Sequence, residues 1–145
     1  MKELKLVLDM SVVNRYCDYY FSQHTRAKKK PITEPRHPSI NKWCILPRIS
    51  MNALKQKHKD FIMWWINDLG YANMQLSDFS IHYKIYFDSK RRHDTDNYVA
   101  KFWHDAFTES GFIVDDDSNH MHSLTMECGY DKQNPRTEIT ITIHD

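Results

Sequence analysis

Glycine is scarce in this chain, with three residues in 145. That leaves no room for a glycine-rich phosphate loop or for the G-x-G-x-x-G turn of a dinucleotide fold. Cysteine is scarce too, and its count is odd. Cys17, Cys44 and Cys128 lie far apart with no C-x-x-C pair, which argues against a disulfide framework and against a thiolate zinc site. No apolar run approaches the roughly 20 residues of a bilayer span. The N-terminus lacks the apolar stretch of a signal peptide, so a cytoplasmic protein with no membrane partner is expected. There is no internal repeat and no dividing linker, so residues 1–145 are read as a single domain. What is present is ordinary for a folded protein: 41% hydrophobic and 27% charged residues, enough to bury a core and unlike a disordered tail.

The net charge of +1 conceals an uneven distribution. Residues 1–60 carry 13 Lys/Arg against 5 Asp/Glu, and residues 61–145 carry 7 against 14. This polarity fits a phosphate-binding surface from the first part and a metal site from the second. Mutual neutralisation of the two halves across the fold is the plainer alternative. Arg26, Lys28, Lys29, Lys30 and Arg36 concentrate early, with Tyr16, Tyr19, Tyr20, Phe21 and Trp43 around them. Cations for phosphates and rings for exposed bases suit a nucleic-acid surface. For the rings alone, packing onto a sheet is the better reading.

Leu4 to Leu8 partly alternates and reads as a strand. Residues 9–47 hold four of the five prolines and show no clear period; a run of this length is functional or mobile. A helix is expected from a cap at Ser50 or Asn52 to about Leu69, stopped by Gly70. Leu54, Phe61, Ile62, Trp65 and Leu69 would face the core, with Lys55, Lys57, Lys59 and Asp60 toward water. Phe79 to Phe87 alternates as a strand, and Lys90 to His93 forms a turn. A second helix is expected from Asp94 or Thr95 to Gly111, with Val99, Phe102, Trp103, Ala106 and Phe107 inward. His120–Cys128 and Thr137–Ile143 read as final strands, with Gly129 and Asn134-Pro135 as turn residues between them. The fold class is α/β in the α+β sense: a small mixed sheet of about four strands with two main helices.

The chemistry concentrates in Asp94-Thr95-Asp96-Asn97, Lys101 and Asp115-Asp116-Asp117. Clustered carboxylates repel one another and stay ionised together only if a cation offsets the repulsion. A hard divalent ion on aspartate oxygens does so, and Mg²⁺ keeps positions open for water and phosphate. Asp94, Asn97, Lys101 and Asp105 would form one polar stripe on a helix. Lys101 would contact a phosphate or stabilise a leaving oxygen. The plainer alternatives are capping for Asp94 and Asp96, and an i, i+4 ion pair with Asp105 for Lys101. Asp115, Asp117 and Asn119 match the opening of an EF-hand loop, but His120 and Met126 stand where Gly and the bidentate Glu belong, so calcium binding is not expected.

Arg92-His93-Asp94-Thr95-Asp96-Asn97, Lys101, Asp105-Ala106, Gly111-Phe112 and Asp115-Asp116 together resemble the RusA family of Holliday junction resolvases. The specific part covers residues 91–117, and the order of elements is similar along almost the whole chain. The resemblance implies a small RusA-like α/β fold, a homodimer, and Mg²⁺-dependent cleavage of four-way DNA junctions by paired nicks, with Mn²⁺ able to substitute. It implies that Asp94, Asp96 and Asp116 are catalytic metal ligands and that Lys101 is the motif lysine. The family spaces its Asn and Lys as N-x-x-K. Here the lysine stands one residue further on, a turn of about 100° around a helix. The third aspartate leaves open which of Asp115, Asp116 and Asp117 is the ligand. The leading function is a crossover junction endodeoxyribonuclease that holds branched DNA through Arg26, Lys28, Lys29, Lys30, Lys90, Arg91 and Arg92. The alternative is a catalytically inactive junction- or fork-binding protein. A nucleotide-sugar transferase, which also uses D-x-D, is disfavoured by the short chain and the missing glycine-rich fold.

Overall fold

The computed structural model describes residues 2–144; the first and last residues of the expected domain lie outside the described residues. Strand β1 (Lys2–Asp9) leads directly into helix α1 (Met10–Gln23). A short helix α2 (Ile40–Trp43) and the long α3 (Arg48–Asp68) follow. Then come β2 (Phe79–Phe87), a 3₁₀ turn (Thr95–Tyr98), α4 (Lys101–Glu109), β3 (Met121–Tyr130) and β4 (Arg136–Ile143). The strands form one mixed sheet in the order β1-β4-β2-β3. β4 is antiparallel to both neighbours, and β3 runs parallel to β2.

The alternation of β2 sets the layers. Phe79, Ile81, Tyr83, Ile85 and Phe87 are buried on one face, while the intervening residues are half-buried on the other. Onto the apolar face pack Phe61, Ile62, Trp65 and Ile66 of α3 and Phe102, Trp103, Ala106 and Phe107 of α4. Each fully buried side chain of this size contributes roughly 1.5–3 kcal/mol of transfer free energy. The helix register differs from expectation in detail: Ile66 is buried, whereas Leu69 is 37% exposed at the helix end. α3 begins at Arg48, before Ser50 and Asn52, and its N-cap position is Pro47 without a side-chain cap. Gly70, at φ +78°, ends it as expected. Lys55 and Lys59 do not simply face water. They pair with Asp105 at 3.5 Å and Glu109 at 2.8 Å, linking α3 to α4.

Two expectations are corrected. The aperiodic run 9–47 contains α1, whose buried Val12, Val13, Tyr16 and Cys17 follow helical spacing. Asp9 caps it by accepting the Val12 N–H at 3.1 Å. The rest of the run is a strap pinned to the core. Ile32 O accepts the Cys17 thiol, Pro35 O accepts the Thr137 hydroxyl at 2.7 Å, and His37 is buried. Second, the two final strands form with a turn between them as expected, but they are not neighbours in the sheet. β4 carries Thr137, Ile139 and Ile141 at 0–1% exposure and takes the central place between β1 and β2. β3, with Leu124 and Tyr130 exposed, is left at the edge. Burial of the β4 alternation on the core face fits this central place.

Candidate active site

The site is built where β2 ends. Lys90, Arg91 and Arg92 leave the strand exposed. His93 then anchors the chain, its ring stacked on Phe87 with centroids 3.6 Å apart and 9° between planes. Burial, then the Arg36 and Arg91 charges, hold the His93 pKa below the ordinary histidine value. Its ring anchors the start of the turn against the end of β2.

Asp94 and Asp96 follow on the 3₁₀ turn, both exposed. The Asp94 carboxylate makes no cap hydrogen bond, so capping does not explain it. It lies 3.5 Å from the Arg92 guanidinium, both groups well exposed. Asn97 faces α2, where its Oδ1 accepts the Asn41 N–H at 3.0 Å. Ile40, Asn41, Asp94, Asp96 and Asn97 line one cavity of about 190 Å³. The sheet-end position expected for the two aspartates is therefore observed, on a turn tied to α2 by one hydrogen bond.

The expected helix from Asp94 to Gly111 is interrupted. Val99 (φ −56°, ψ 127°) and Ala100 (φ −87°, ψ 54°) are non-helical. The Phe102 N–H, which a continuous helix would give to the Tyr98 carbonyl, goes to His37 Nε2 at 3.0 Å. The single polar stripe through Asp94, Asn97, Lys101 and Asp105 is thus split. Lys101 opens α4 as an exposed residue ahead of three buried ones, and Asp105 pairs with Lys55 and not with Lys101.

Beyond α4, Gly111 at φ +78° lets the chain turn tightly against the 73–76 loop, where Ile113 bridges Leu76. The aspartate run follows, and its members differ. Asp115 Oδ1 accepts the Asp116 N–H at 2.7 Å. Asp117 Oδ1 accepts the Asn119 N–H at 3.1 Å and lies 2.6 Å from His120 Nδ1, and that histidine contact lowers its carboxyl pKa. Asp116 moves the other way. Burial first, then the Asp115 carboxyl and the Asp105 charge, raise it above the ordinary carboxylate value.

Asp116 does not line the Asp94–Asp96 cavity. Among the described residues, no three His, Cys, Asp or Glu side chains converge where they could hold a metal ion. The structure thus brings Asp94 and Asp96 together and leaves Asp116 in a separate acidic turn. The donors around the cavity are oxygen-rich: two carboxylates and side-chain amides. That set fits a hard cation such as Mg²⁺, which takes one or two carboxylates and keeps several waters.

Arg26, Lys28, Lys29 and Lys30 are exposed beyond α1, and Lys90, Arg91 and Arg92 are exposed beside the aspartates. Lys90 also sits 5.3 Å above the Tyr130 ring. Sequence reasoning passed over the residues that hold this site in place. Asn41 and His37 lay in the run without a period, and nothing in their spacing marked them. His58 had a signal, because it falls on the helical face of Leu54, Phe61 and Trp65.

A small α+β domain with an acidic pair at the end of a central strand, beside exposed cations, belongs among phosphate-handling proteins. A family model described as Endodeoxyribonuclease RusA matches residues 11–142, and the chain belongs to this family of Holliday junction endodeoxyribonucleases. No curated protein matches the chain. Among the described residues, no helix is long and apolar enough to cross a membrane.

Proposed function

We propose that this protein is a metal-dependent endonuclease that resolves four-way DNA junctions by paired, symmetric nicks as a homodimer. One observation carries the reading: Asp94 and Asp96 share a cavity at the exit of β2, and neither is used as a helix cap. Asp94 and Asp96 would hold the ion. Bound Mg²⁺, or Mn²⁺ in its place, would supply a more acidic water and offset charge on the phosphate. Arg91 and Arg92 stand next to the pair and attract the DNA backbone without reading bases. Lys101, exposed at the start of α4, adds a positive charge for the phosphate. Of the acidic turn, Asp117 is engaged by His120 while Asp115 and Asp116 have no cationic partner, which favours these two over Asp117 as the third acid, and the family pattern points to Asp116. Twofold symmetry would present two such sites to two opposed strands.

A supercoiled plasmid that extrudes a cruciform tests this reading. Incubation with Mg²⁺ should yield linear product, the signature of two opposed nicks in one binding event. Nicked circles alone would contradict paired cutting. The second reading, an inactive junction- or fork-binding protein, draws on the lack of a third group converging with Asp94 and Asp96 among the described residues. Tight junction binding without any metal-dependent nicking would select it.

A further inference from the structure

A second cavity lies away from the acidic pair. It is a groove of about 960 Å³ between α1 and α3. Its walls are aromatic: Tyr19 and Trp64 stack at 6.1 Å, Tyr16 lies 5.3 Å from Trp64, and Tyr20 stacks on His24 at 4.1 Å. Tyr16 is core, packed on Phe61, but Tyr19 is 47% exposed and Tyr20 and Trp64 are half-buried. Nothing in the fold requires an exposed tyrosine there. Gln23, Gln56 and Asn67 line the same groove with groups that both donate and accept hydrogen bonds.

Cations predominate around the groove. His24 and Pro31 both line it, and the loop between them carries the exposed Arg26, Lys28, Lys29 and Lys30. Lys57 stands on the α3 wall, and Asp60 is the carboxylate set against these cations. Pro31 and Lys57 also line a neighbouring cavity with Lys30, Arg36 and Lys42. Lys42 belongs to α2, whose Ile40 and Asn41 line the cavity of Asp94 and Asp96. Segment 30–42 therefore runs from the aromatic groove to the acidic pair, carrying Lys30 and Lys42, with Arg36 paired to Glu34 at 3.1 Å between them.

We infer that this groove binds single-stranded DNA, with unpaired bases on Tyr19, Tyr20 and Trp64 and phosphates on the 26–30 loop and Lys57. Ring faces beside a cationic track bind single strands with little sequence preference, because every base has a face to stack. Resting on the nuclease reading above, the inference gives the four-way junction a second contact, in which a strand left unpaired at the branch is held in the groove.

The test uses the full chain, a fluorescent thymidine oligomer of about twelve nucleotides, and two junctions, one fully paired and one with a single-stranded arm. The oligomer should bind and quench tryptophan fluorescence. Tyr19→Ala should weaken oligomer binding about tenfold, and Tyr19→Phe, which keeps the ring, should restore it. The wild type should bind the junction with the unpaired arm more tightly than the paired one, and Tyr19→Ala should lose that difference. Equal oligomer binding by wild type and Tyr19→Ala would overturn the inference, as would equal binding of the two junctions by the wild type. A Tyr19-dependent self-association without oligomer binding would overturn it too, assigning the groove to a second copy. If neither junction is cut but oligomer binding still depends on Tyr19, the nuclease reading fails and the groove assignment stands.

Discussion

Asp115, Asp116 and Asp117 are alike in sequence and unlike in setting. Asp117 is held by His120 and Asn119, Asp115 closes a local turn, and Asp116 is crowded by carboxyls. No sequence rule separates three adjacent aspartates; only the position of His120 and the approach of Asp105 do. The turn is presented by Gly111, where backbone conformation decides the outcome. A side chain at φ +78° is strained, and a Cβ there would meet Asn73 Oδ1 at 2.7 Å and the Asn73 Cα at 3.2 Å. Gly111→Ala should lower stability by about 1–3 kcal/mol, read as a lower urea midpoint with an unchanged slope. A midpoint equal to wild type would show that the 73–76 loop yields freely.

At the scale of elements, periodicity was a sound guide where one kind of side chain lined one face. It located β2 to the residue and placed the apolar faces of α3 and α4. It failed for α1, where valines and tyrosines, poor helix formers, mask a helical spacing and a good Asp9 cap. It also failed at Val99–Ala100. The helix break there depends on His37, 65 residues before Phe102 in the chain, which accepts the Phe102 N–H in the first turn of α4. Such a long-range cap has no local signature. His37→Ala would leave the buried Phe102 N–H without a partner and open a cavity. It should cost about 2–4 kcal/mol, measured by denaturant unfolding. An unchanged stability would mean that α4 is capped in another way.

For the whole molecule, three buried histidines link stability to pH. His37, His58 and His104 are 1–6% exposed. Burial lowers their pKa values to about 3, 4 and 4, and in His37 the neighbouring His58 adds to the effect. All three bond as neutral rings: His58 accepts the Trp103 indole N–H, and His104 meets the Tyr83 hydroxyl at 2.7 Å. Below the ordinary value of 6.5 the unfolded chain takes up protons that the folded chain refuses. Stability should therefore be complete above about pH 7 and fall between roughly pH 6.5 and 4. The steepest slope would approach 4 kcal/mol per pH unit for three groups, by proton linkage. Urea midpoints at pH 7, 6 and 5 check this, and a flat profile would show that these rings are protonated in place. The fold class and the acidic motif were legible because they depend on local pattern. The setting of the acidic turn was not, because it depends on how the chain after α4 is braced against the 73–76 loop.

The central claim is that Asp94 and Asp96 form the core of a nuclease site. It is tested most directly by single-turnover cutting of a labelled four-way junction, comparing the wild type with Asp94→Asn and Asp96→Asn. Mg²⁺ would be varied, and junction binding measured in parallel. The expected result is Mg²⁺-dependent cutting by the wild type, a loss of about a hundredfold or more in each variant, and undiminished binding. Cutting by either variant at the wild-type rate would contradict the assignment.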